Sequence, residues 1–324
     1  MASELNADAR RIRIGVSACL LGQAVRFDGG HRHDRFITVA LGRYFDLVPV
    51  CPEVELGLGT PRESLRLEQR GGKVHFVAPK SGTDWTQPMH TYAEKRTAEL
   101  AHDDLRGYIL KKDSPSCGME RVRLYDPHGA AARTGRGLFA DALMRRFPHL
   151  PVEEEGRLND APLRENFVSR VFAYDHWLET VRSGMSRDKL YRFHERHKYQ
   201  LMAHSQAGAR RLGHVLGGAP GRGSVLKLAD AYFEGFTEVM LRVPTRKSHT
   251  NVLQHLAGYV SDEIDAEDRA ELSETIHGYR EGHLPLLVPV TLLRHWVRKM
   301  RVSYLLEQVY LSPHPDELML LNQL

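Results

Sequence analysis

Over residues 13–153 short apolar runs alternate with stretches of helical spacing. Residues 13–17, 45–50, 74–77, 107–111 and 150–153 read as strands, and 35–44, 89–104 and 137–147 read as helices. Such alternation implies a parallel sheet with helices on both faces. Beyond Pro162 the pattern changes. Residues 164–183, 186–216, 225–241, 248–260, 265–281 and 291–309 carry apolar positions at helical spacing, divided by breaks containing Gly or Pro. The expected architecture is therefore α/β: an N-terminal domain with a Rossmann-like parallel sheet over residues 1–158, followed by an all-α C-terminal domain over 159–324. The boundary falls in the polar stretch 154–160.

A length of 324 residues suits two cores, and 42% hydrophobic residues supply ample material to bury. The longest apolar stretch, 284–293, is interrupted by Pro285 and Pro289 and is too short to cross a membrane. Residues 1–8 lack the apolar centre of a secretory signal, and three cysteines cannot form a paired disulfide framework. These features lead to the expectation of a cytoplasmic protein with no membrane partner, its thiols kept reduced. The net charge is +4, and its distribution is informative. Between 187 and 222 eight Lys/Arg stand against Asp188 and Glu195; Arg192, Arg196, Lys198, Arg210 and Arg211 are the candidates for contact with a nucleic acid, and Arg222 closes the run. The competing account is a set of solvated helix faces.

Each cysteine stands in a segment punctuated by Gly or Pro after an apolar run, at Cys19, Cys51 and Cys117. In the α/β frame all three fall beyond the carboxyl ends of strands, where crevices form in open sheets. Separations of 32 and 66 residues are thus no obstacle to their meeting. Three thiolates can hold three corners of an iron–sulfur cubane and leave one iron without a protein ligand, or they can bind zinc with His31, His33 or a water in fourth place. Glu53, two residues beyond Cys51, is the candidate for proton transfer. Ser114 and Ser116 precede Cys117 and could hold a water or pass a proton, although Ser-Pro is also ordinary turn chemistry. Arg26, Asp28, Lys112 and Ser116 are candidates for substrate contact, and Lys111 with Lys112 could meet a phosphate; Asp28-Gly29 is equally a common turn pair. His194 and His197 share a helix face but lack the spacing of a zinc protease motif, and packing or phosphate contact is the better account of them.

Three blocks carry a family resemblance: residues 16–22 with 25–29, Cys51-Pro52-Glu53 with 57–62, and 112–118. Together they resemble the thiouracil desulfidase (TudS) family over residues 10 to 155. The remainder, through 193–198, 251–256, 279–282 and 284–286, resembles the helical domain often fused to it. The combination is similar to RudS-type desulfidases, which remove sulfur from 4-thiouridine in tRNA. The resemblance implies a [4Fe-4S] cluster held by Cys19, Cys51 and Cys117, with one iron not bound by protein, and Glu53 with Ser114 as the catalytic pair. It further implies non-redox hydrolysis of a C–S bond, giving uridine and hydrosulfide. The alternatives are a desulfidase of free thiouracil or thiouridine nucleotides, and a non-catalytic iron–sulfur sensor that binds RNA.

Overall fold

A computed structural model describes residues 10–218, 224–315, 318 and 320–322; Arg222 lies outside them. Along the chain come β1 (Ile12–Ser17), an irregular helical passage, β2 (Phe45–Val50), a one-turn α1 (Pro52–Glu55), β3 (Arg66–Arg70), β4 (Lys73–Val77), α2 (Thr86–Leu100) and β5 (Leu105–Leu110). β6 (Val122–Tyr125), β7 (Ala131–Gly135), α3 (Leu138–Arg146) and β8 (Val152–Glu154) complete the first unit, which ends at Asn159. The central sheet is parallel, in the order β2-β1-β5-β8. β5 is buried at every position, as expected of a strand covered on both faces. Side chains such as Ile14, Val16, Phe45, Tyr108 and Phe139 fill the core around it.

Two local features differ from the sequence expectation. Residues 35–44 form a π-turn (Phe36–Ala40) and a 3-10 turn (Leu41–Arg43) instead of a regular α-helix. A second, mixed sheet in the order β4-β3-β6-β7 is also present, of which the apolar pattern marked only 74–77. β3 buries Leu67 alone and β7 buries Gly135 alone, so neither carries a period-2 apolar signal.

The second unit, from Asp160 onward, is helical: α4 (Ala161–Arg182), α5 (Arg187–His204), α6 (Gln206–Gly217), α7 (Val225–Met240), α8 (Arg246–Ala257), α9 (Ala266–Arg280), α10 (Leu287–Lys299) and α11 (Ser303–Leu306). The expected helix 186–216 is broken at Ser205, whose hydroxyl accepts the Gly208 N–H at 3.1 Å and so starts a new helix. α10 begins earlier than expected because Pro289 sits in its first turn, where a missing N–H costs nothing. No helix among the described residues is long and apolar enough to cross a membrane. Within α4, α5 and α7 an aromatic cluster forms the core, with Trp177 stacked on Phe233 at 4.2 Å and Phe193 edge-on to Trp177. His197 stacks on Phe193, and its Nδ1 meets Gln200 Oε1 at 2.7 Å; His194 Nδ1 meets the Tyr232 hydroxyl. Both are packing residues in this structure.

Burial lowers the pKa of three histidines of this unit, to about 3 for His197, about 4 for His204 and about 3 for His249. The unfolded chain therefore binds protons that the native unit refuses. The stabilisation is complete above pH ~6.5 and is lost as pH falls toward the folded-state values. Thermal unfolding followed by circular dichroism should show the midpoint of the helical unit falling steadily between pH 6.5 and 4. A flat profile over that range would refute the assignment.

Candidate functional site: a three-thiol cavity at the strand ends

Parallel register aligns the ends of three neighbouring strands. Ser17 pairs with Val50 and Val16 with Ile109, and the Lys111 N–H donates to Ser17 Oγ at 3.0 Å, tying β1 to β5 where both stop. Cys19 follows in a 3-10 turn (Ala18–Leu21) closed by Gly22, whose φ of +88° suits glycine. Cys51 caps α1, and its N–H donates to Glu55 Oε1 at 2.9 Å. The other Glu55 oxygen takes the Tyr92 hydroxyl at 2.7 Å and Arg96 Nε at 3.0 Å. Cys117 sits in a tight turn in which Ser114 Oγ accepts its N–H at 3.1 Å. A Cβ on Gly137 would lie 2.4 Å from the Ser116 carbonyl oxygen, so this loop seats only against glycine.

All three thiols line one cavity of about 360 Å³, together with Arg26, Glu53, Arg62, Lys111, Lys112, Ser114 and Ser116. Burial pushes the Cys19 thiol up to about 11 and moves Cys51 and Cys117 upward as well. In the free protein they are thiols, poor nucleophiles, and suit the role of ligands that lose a proton to a soft metal. Arg26 and Lys111 oppose the upward shift at Cys19, so cations already stand where bound thiolates would place negative charge.

Three soft sulfur donors on one cavity suit a soft metal centre. Among the described residues no group of three His, Cys, Asp or Glu side chains is gathered closely enough for a single metal. His31 and His33 do not line the cavity: His33 Nε2 meets Thr38 Oγ1 at 2.9 Å, and His31 Nδ1 accepts the His33 N–H.

Residues 14–155 match the 2-thiouracil desulfurase family, and residues 198–315 match DUF1722, a family of unknown function. The uncharacterized protein YbgA of Escherichia coli (strain K12) is 30% identical over 155 residues, 47% of this chain and 89% of that protein. The chain belongs to the 2-thiouracil desulfurase family. The uncharacterized protein YbbK of Bacillus subtilis (strain 168) is likewise 30% identical over 151 residues, 45% of this chain and 97% of its own. Among solved structures, a [4Fe-4S]-dependent thiouracil desulfidase TudS is 35% identical, with 46% of this chain and 95% of that chain covered and a TM-score of 0.38.

In this desulfurase-family chain Glu53 is held on both oxygens. Oε2 accepts from Arg62 Nε at 2.9 Å and Nη2 at 2.5 Å, while Oε1 accepts the Ser116 hydroxyl at 2.7 Å. Ser116, read from the sequence as a substrate contact, is thus the direct partner of the carboxylate. Ser114 lies one link further, 3.0 Å from Ser116 Oγ. Lys112 and Arg26 line the cavity; Asp28 does not, and its Oδ1 closes a turn by accepting the Gly30 N–H at 3.0 Å. Arg62 is the residue that sequence reasoning did not single out. It sits in a Gly/Pro loop without periodicity, and only its place after Pro61 in the 57–62 block marked it.

The Arg62 and Glu53 side chains are only 7% and 13% exposed, and Arg62 Nη1 also donates to the Val25 and Gly59 carbonyls. Arg62→Ala would leave a buried carboxylate and two carbonyls without that partner. The expected loss is about 3 kcal/mol of stability in urea unfolding. Unchanged stability would mean that the pair is not a buried one.

Proposed function

We propose that this protein is an iron–sulfur-dependent desulfidase that replaces the sulfur of a thiolated uracil with oxygen from water, its substrate being 4-thiouridine in tRNA. The observation that carries the reading is the convergence of three thiols, two buried and Cys51 half-buried, and one positioned carboxylate on a single cavity. Cys19, Cys51 and Cys117 would hold a [4Fe-4S] cluster with one iron free of protein ligands. When bound, the cluster supplies a soft Lewis acid for a thiocarbonyl sulfur.

The remaining chemistry falls to side chains on the page. Glu53, fixed by Arg62 and Ser116, takes a proton from water as the water oxygen bonds to the ring carbon. The C–S bond then breaks with its electron pair on sulfur, which takes the proton back from Glu53, while the hydroxyl left on the ring carbon releases its proton to solvent. The products are the oxo-pyrimidine and hydrosulfide, with no net redox change. Ser116 orients the carboxylate, and Ser114 continues the chain of hydroxyls toward the Cys117 turn.

A cavity of about 360 Å³ suits a nucleoside-sized group, so a base in tRNA must be turned out of its stack to enter. Arg192, Arg196, Lys198, Arg210 and Arg211 are exposed on α5 and α6; Arg211 pairs with Glu238 at 3.1 Å and Arg192 lies 3.9 Å from Glu307. These cations support a phosphate-binding role for the helical unit. The same reading places the protein in the reducing cytoplasm.

Anaerobic purification with iron and sulfide quantitation should give four irons and four sulfides per chain; one zinc without labile sulfide would overturn the cluster. Glu53→Gln should keep the cluster and lower turnover about a thousandfold. A sensor would be untouched by that change. Thiolated tRNA should be turned over in preference to thiouridine monophosphate, and five phosphate contacts should give a log–log salt slope of about −4. Preference for the mononucleotide would assign the free base or nucleotide as substrate.

A further inference from the structure

The helical unit contains a cavity of about 160 Å³, partly open to solvent, that the desulfidase reading does not use. Four groups on its wall have bonding capacity left over. No hydrogen bond or ion pair reaches the half-buried Glu165 carboxyl among the described residues, and burial alone pushes its pKa up to about 7. Gln200 commits its Oε1 to His197, which leaves Nε2 buried with no acceptor among the described residues. His204 donates from Nδ1 to the Arg242 carbonyl at 2.6 Å, so its neutral ring keeps Nε2 as an acceptor. Arg246 is fixed by the Tyr279 carbonyl at 2.7 Å and lies over the Tyr279 ring at 5.0 Å.

An unsatisfied buried polar atom such as Gln200 Nε2 is uncommon in native proteins, and on the wall of a cavity it calls for an occupant. The volume limits its size, since a cavity of about 150 Å³ holds one benzene-sized ring. Leu286 and Tyr310 supply apolar wall for the faces of such a ring, and the polar groups supply its edge. Charge limits its class. An anion drawn to Arg246 would meet the Glu165 carboxyl, and a cation drawn to Glu165 would meet Arg246. A neutral ring with adjacent N–H and C=O groups meets neither objection: its N–H faces the carboxyl or the imidazole nitrogen, and its carbonyl accepts from Gln200.

We propose that this cavity binds a single neutral lactam heterocycle of pyrimidine size, at a site in the helical unit separate from the three-thiol cavity.

The test is calorimetric titration of the full chain with uracil, beside acetate and methylammonium as charged probes. Wild-type protein should bind uracil and neither ion. Glu165→Leu removes a carboxyl that no described residue holds, so its unfolding midpoint should equal or exceed that of the wild type while uracil affinity falls at least tenfold. Cys51→Ala, in the other unit, should leave that uracil binding event unchanged. The proposal is overturned if the wild type does not bind uracil, if Glu165→Leu binds it as the wild type does, if Cys51→Ala abolishes it, or if either ion competes with uracil. Ser169→Leu, which narrows the same wall, provides a second variant with the same expected loss and the same refutation.

Discussion

Parallel pairing of β1 with β2 on one side and β5 on the other is the constraint on which the thiol cavity rests. Parallel strands share a direction, so their carboxyl ends stop along one rim, and whatever follows each strand in sequence is delivered there. Cys19 and Cys51 lie within two residues of the ends of β1 and β2, and Cys117 reaches the same rim through a loop of six residues. No short-range spacing motif is needed, because the sheet converts separations of 32 and 66 residues into neighbourhood. The bond from Lys111 N–H to Ser17 Oγ holds two of those ends at a fixed offset.

The central sheet and most helices of the second unit were readable in the sequence because burial there is periodic or continuous. β5 reads as a strand from an uninterrupted apolar face, and α7 reads as a helix from its apolar spacing. The second sheet was not readable for the converse reason: β3 and β7 bury one residue each, and their pairing is decided by the neighbouring strand. The break at Ser205 was missed because apolar spacing continues across it. A single capping hydroxyl ends one helix and starts another without disturbing the pattern.

At the candidate site, residue types in distinctive local contexts were legible, and partnerships were not. The cysteines, Glu53 and the two serines could be marked because each stands in a short punctuated segment. Which serine touches Glu53 depends on how the 114–117 turn folds back, and the structure gives that contact to Ser116. Arg62 could not be matched to Glu53 from nine residues away in a loop, although the bond between them is among the least exposed ion pairs described. The polar wall around Glu165 and Gln200 was equally silent, since α4, α5 and α8 together assemble it.

Glu55 answers Cys51 from within the same helical turn and is itself gripped by α2 through Tyr92 and Arg96. The second cysteine is therefore not carried by its loop alone. Its backbone is moored to a long helix, so a tremor in the rim would have to drag that rod along with it. Any disturbance at this corner would meet a rigid mount, and the cavity wall at Cys51 should keep its shape.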